Sequence, residues 1–243
     1  MKKDFEALLD PNDAALWTAY RADERHKQRR QALARLHAFV DRLLTYPPAR
    51  RDQFAALVCH AVVDAGSDLP IRHPLFVTIL FPYLVRAVER REEHAARWMA
   101  HFYDHVIRWH EGREWLVVHA WDRRMLLQEA LARNPADGAV RRELIAVMAR
   151  QFEDAIHEVP AGVLYGANGA SIEECSTLRN ELAHFRELVR AEGTLSSYAE
   201  AIRAWEYHFE AYADYVAHRA QYVSYAQYLA VHPPPAAALG GGP

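Results

Sequence analysis

Apolar residues recur at helical spacing along almost the whole chain. Ala95, Met99, Phe102, Val106 and Trp109 fall at i, i+4, i+7 intervals, the signature of a helix with one buried face. Phe54, Leu57, Val58, Ala61 and Val62 repeat it over 50–65, up to Gly66. Tyr198, Ile202, Trp205, Phe209, Tyr212, Val216, Val223 and Ala226 draw a near-heptad stripe, which predicts one long helix over 198–231. Breakers punctuate the pattern. Pro47-Pro48 stops a helical stretch over 13–46, read as one helix or two, because proline cannot donate the backbone hydrogen bond. Pro74 suits a first turn, Pro82 predicts a kink or early end inside 74–90, and Gly112 closes 92–111. Helices over 115–133 and 138–157 flank the turn Asn134-Pro135-Ala136-Asp137-Gly138. Ser171 with Glu174 makes a capping box that opens a helix to Glu192, and Ser197 with Glu200 makes a second.

No strand alternation of useful length occurs, Val159–Tyr165 being too short. The expectation is therefore all-α: one domain over 1–231 with about eight helices, antiparallel pairs packed as a bundle or short α-solenoid. The segment 232–243, HPPPAAALGGGP, reads as a disordered tail.

Composition supports this picture. At 243 residues, 51% apolar and 25% charged, the chain can bury a sizeable core and is not of the disordered class. The net charge of -3 argues against a nucleic-acid or anionic-membrane binder as a whole. Charge is nevertheless uneven: nine Lys/Arg face three acids over 21–51, and nine acids face five Arg from 171 onward. The run Arg21-Ala-Asp-Glu-Arg-His-Lys-Gln-Arg-Arg is the one nucleic-acid-like feature, and its interspersed acids favour a solvated helix face. Cys59 and Cys175 each sit on an apolar stripe and read as buried thiols. The N-terminus lacks the apolar core of a signal peptide, and the longest apolar run, 75–85, is far short of the ~20 residues a spanning helix needs. A soluble, cytoplasmic protein is expected.

Fourteen histidines make metal binding the sharpest catalytic idea. His101 and His105 are four apart on a predicted helix, with His94 a heptad before, and could share a metal from one face. Asp154-Ala-Ile-His157 and Glu181-Leu-Ala-His184 repeat a carboxylate-x-x-His pattern, which helical diiron proteins use because i and i+3 both face the bundle interior. One acid is Asp rather than Glu, His157 lies at a helix end, and Asp104, Glu206 and Glu210 are the acids available as bridges. The segment from His157 to Ala170 is the longest interruption, with Glu158, Tyr165 and Asn168 as loop candidates among its glycines. It carries no phosphate-loop pattern, and no GxSxG elbow occurs in the chain. Tyr215 and Tyr222 form a second line on the last helix, displaced from the core stripe, and are expected to border a partner surface or homodimer contact. The leading reading is a non-catalytic module that binds another protein, as an adaptor, regulator or toxin-neutralising partner, without a cofactor. The alternative is a helical oxidoreductase holding iron or another divalent metal through the carboxylate-x-x-His ligands.

Overall fold

The computed structural model describes residues 9–158 and 171–233, with backbone alone at 157 and 158. Helix accounts for 80% of it, and no strand forms among the described residues. The all-α expectation holds, with more helices than eight, because several predicted segments are broken. Two compact units divide the chain, Met1–Asn134 and Pro135–Pro243.

The first unit begins with α1 (Pro11–Arg25) and α2 (Arg29–Leu44). The stretch 13–46 is thus two helices, reversed at Lys27, which takes a left-handed φ of 58°. α3 (Pro48–Cys59) runs on through a π turn, His60–Asp64. Trp17, Tyr20, Leu36, Phe39 and Phe54 are fully buried where these helices meet, with Phe39 5.2 Å from Trp17 and 5.9 Å from Phe54. Each such side chain contributes roughly 1.5–3 kcal/mol through removal of apolar area from water. Asp13, fully buried in α1, accepts hydrogen bonds from the Tyr46 hydroxyl (2.6 Å) and from Arg42 Nε (3.0 Å), so both its oxygens are satisfied.

Next come α4 (His73–Leu75), a π turn (Phe76–Leu80) and α5 (Phe81–Glu89). The segment does not end early at Pro82: α5 runs on to Glu89, with Pro82 in its first turn, where a missing donor is tolerated. α6 (Ala95–His101), α7 (Tyr103–Ile107), α8 (His110–Val118) and α9 (Arg123–Arg133) complete the unit. Here the structure departs most from the expected pair of helices over 92–111 and 115–133. The chain breaks at Phe102, at Arg108-Trp109 and again over 119–122, and Gly112 lies inside α8 instead of ending a helix.

The second unit contains α10 (Gly138–Glu158), α11 (Ile172–Ala191), α12 (Ala199–Ala217) and α13 (Tyr225–Val231). Asp137 accepts bonds from the Ala139 and Val140 amides at the start of α10. The Ser171–Glu174 box forms in both directions, at 2.6 and 3.2 Å. The second expected box does not form: Leu195–Tyr198 is a 3₁₀ turn, and α12 begins after it with no side-chain cap. The long helix expected over 198–231 stops at His218 and resumes at Tyr225. Phe152 centres the core, 5.6 Å from Phe185, 5.1 Å from Trp205 and 6.0 Å from Phe209. Both cysteines are buried and free. Among the described residues no helix is long and apolar enough to cross a membrane.

Candidate functional site

The most distinctive surface lies where α7, α8 and the turn before α9 meet. Its construction starts at Gly112. A Cβ there would sit 2.5 Å from the Val106 carbonyl oxygen, so only glycine lets α8 lie this close to α7. At its other end α8 closes with the Trp121 amide donating to the Leu116 carbonyl (2.8 Å) and the Ala120 amide to Val117 (3.2 Å). This closure places Ala120 at a left-handed φ of 52°, a position glycine normally fills. Asp122 then caps α9, accepting the Met125 amide at 2.6 Å. Beneath, Phe81 meets Trp109 and Trp115 edge-on at 5.1 and 5.9 Å, which fixes α8 to the core.

The result is an open groove of about 340 Å³ lined by Tyr103, Ile107, Leu116, Val117, Ala120 and Trp121, with Arg113 and Asp122 as its charged members. Val117 and its neighbour Val118 are 79% and 77% exposed, and Ile107 is 40% exposed. The Tyr103 phenol is pushed up, first by burial and then by the Asp122 carboxylate. Arg113 makes no ion pair with any described residue, whereas His110 and Glu114 beside it approach each other at 3.7 Å. The groove has the makings of a binding surface.

The described residues expected as metal ligands lie in several different settings. α6 ends at His101, so the pair His101/His105 spans the break at Phe102 and is not carried on one helix. His101 is exposed and edge-on to Phe102, while His105 is half-buried with its ring 5.0 Å from Phe76. Burial, then Arg108, His73 and His101, depress the His105 pKa. Asp154 is exposed. Glu181 is half-buried and accepts from the Gln151 amide at 3.3 Å, and exposed His184 approaches Glu187 at 4.0 Å. Of the potential bridges, Glu206 pairs with Arg186 at 2.6 Å, and Asp104 and Glu210 are exposed. Among the described residues no group of three or more His, Cys, Asp or Glu is placed to hold a metal ion. The His157 and Glu158 side chains, Tyr165, Asn168 and the tail from 234 lie outside the described residues.

Tyr215 is only 7% exposed, packed on Tyr212, Tyr225 and Tyr228 at 5.8, 5.4 and 6.0 Å. The break at His218 lets α13 fold against it, so the displaced tyrosine line is covered by the next helix. Tyr222 is half-buried, 5.2 Å from Tyr228, with its hydroxyl 3.2 Å from His232 Nε2.

Sequence periodicity does not find the groove. One local signal was available: Trp115, Leu116, Val117 and Val118 are four successive apolar residues on a short helix, which cannot all face one core. Fold and surface together define an all-helical protein with an open apolar groove on its first unit. Compared with family models, curated proteins and solved structures, the chain matches none.

Proposed function

We propose that this chain is a non-catalytic helical module that binds another protein through the groove between α7 and α8. One observation carries the reading: Ile107, Val117 and Val118 remain exposed beside an apolar groove of about 340 Å³. Leaving such side chains in water forfeits burial energy of roughly 25 cal/mol per Å², which a partner surface recovers on docking. The helix pairs, packed as a bundle or short solenoid, serve as the rigid support, and adaptor, regulator and toxin-neutralising roles all require such a face. Two buried free thiols suit a reducing, cytoplasmic setting.

The test is site-specific photocrosslinking in cells. A benzophenone amino acid at position 117 or 118 of the full chain should give one discrete protein adduct. The same probe at Glu153, exposed on α10, should not. An adduct at twice the chain mass would make the partner a second copy. No adduct from 117 and 118, or the same products from 153, would refute the reading.

A further inference from the structure

The groove reading leaves the partner's chemistry open, and the charges around the groove narrow it. Its walls are apolar, and its opening to solvent means that an occupant stays attached to something larger than itself. An open groove suits an apolar side chain presented by a partner segment better than a small molecule that must be engulfed.

The two charged members of the lining are not equivalent. Asp122 is already engaged: its carboxylate accepts the Met125 amide at 2.6 Å, at the N-terminal end of α9, where the helix presents partial positive charge. Glu114, one residue from Arg113, lies 3.7 Å from His110. Arg113 is exposed, has no ion-pair partner among the described residues, and lines the groove itself. Of the two charged groups that line the groove, Asp122 is held by the start of α9, and Arg113 is the one left without an ion-pair partner among the described residues. Its planar guanidinium can grip a carboxylate with two parallel hydrogen bonds.

We propose, resting on the groove reading above, that the partner segment seated there is an acidic amphipathic helix, which inserts an apolar side chain between Ile107 and Val117 while a Glu or Asp one turn away pairs with Arg113. Apolar and acidic residues three or four apart lie on one helix face, so one short segment supplies both contacts.

Fluorescence anisotropy with two labelled synthetic helices tests this on the full chain. Both carry the same leucine and phenylalanine spacing, one with glutamates at every charged position and its twin with lysines. The glutamate peptide should bind saturably and more tightly than the lysine peptide, with a gap that narrows as salt rises. Arg113→Glu should weaken the glutamate peptide about tenfold, because reversal replaces an attraction with a repulsion of similar size, and should let the lysine twin overtake it. Val117→Asp should weaken both. Both positions are exposed, so the melting curves should stay at the parental value, and Arg113→Gln, expected to fall between, provides a second variant.

Equal binding of the twins by the parent chain, indifference to Arg113→Glu, or undiminished binding by Val117→Asp would each overturn the inference. Crosslinking from 117 without any preference for the acidic helix would overturn it too, while the interface reading stood. Loss of crosslinking would instead strike the interface reading itself.

Discussion

Gly112→Ala isolates the contact that builds the groove. In an ordinary helix interior this change stabilises by roughly 0.5–1 kcal/mol, because glycine loses more backbone freedom on folding than alanine. At 112 the new methyl group would meet the Val106 carbonyl oxygen at 2.5 Å, Val106 Cγ1 at 3.1 Å and the Val106 carbonyl carbon at 3.2 Å. The nearest obstacle is backbone, not the end of a flexible side chain, so α8 itself must move from α7. Forcing a methylene into a packed site costs about 1–3 kcal/mol. Set against the helical gain, the net is a loss of about 1–2 kcal/mol, or roughly 2–8 °C in melting temperature at 2–4 °C per kcal/mol for a chain of this size. Gly138→Ala supplies the control. A Cβ at 138 would meet Arg142 NH1 at 3.2 Å, the far end of a mobile side chain, so the ordinary stabilisation should survive there. Urea denaturation followed by circular dichroism measures both. If Gly112→Ala were as stable as the parent, or the two variants moved in the same direction, the close approach of α8 to α7 would be wrong.

Other substitutions probe other links in the structure. Lys27, Arg91 and Ala120 hold left-handed φ values of 58°, 59° and 52° at helix ends, a conformation costing L-residues about 1–2 kcal/mol, so glycine at each should add a net ~0.5–1 kcal/mol by denaturant titration after its own greater unfolded freedom is subtracted. Tyr46→Phe removes the hydroxyl that donates to Asp13 at 2.6 Å and accepts the Asp10 amide at 3.1 Å; leaving these polar groups short of a partner should cost about 1–3 kcal/mol in the same assay. Burial depresses the pKa of His105, and also that of His208, below the ordinary value, so between the folded and unfolded pKa values the unfolded chain binds more protons. Stability should be complete above about pH 6.5 and fall as pH drops through that value toward the folded pKa; His105→Phe, which keeps a ring against Phe76, should flatten the fall, and an unchanged pH profile would refute the assignment to His105.

Elements with long uninterrupted periodicity were legible. α10 and α11 match their expected spans closely, and the Ser171–Glu174 box marks the start of α11 to the residue. Such helices announce themselves because one face is buried along their whole length and local caps agree with it. The 92–133 stretch shows the opposite. Ala95, Met99, Phe102 and Val106 are buried and Trp109 is half-buried, so the stripe does face the core, yet three helices share the first part of the expected arrangement. Periodicity records which residues face the core and is blind to a reversal that keeps them there. Gly112 illustrates the same limit. Read locally it is a helix stop; its real constraint comes from Val106, which only the tertiary arrangement supplies.

The same reasoning limits what histidine spacing can predict. Asp154/His157 and Glu181/His184 satisfy the i, i+3 rule within each helix, but ligation also needs those faces to converge, and convergence is a property of how helices pack. Asp154 turns to solvent, with Phe152 and Ala155 taking the buried positions around it. Glu181 answers Gln151, and His184 turns toward Glu187. Tyr215 on α12 shows the limit from the other side. A single continuous helix buries one stripe and leaves Tyr215 off it, whereas the break at His218 brings α13 back to cover Tyr215. What remains uncovered is set by where the helices break. Beyond Val118 the chain turns through Ala120 and Trp121 into α9, and nothing among the described residues buries Val117 or Val118. The helix end therefore leaves two valines exposed beside an apolar groove, with Arg113 at its edge lacking an ion-pair partner among the described residues, and these are the features on which the proposed interface rests.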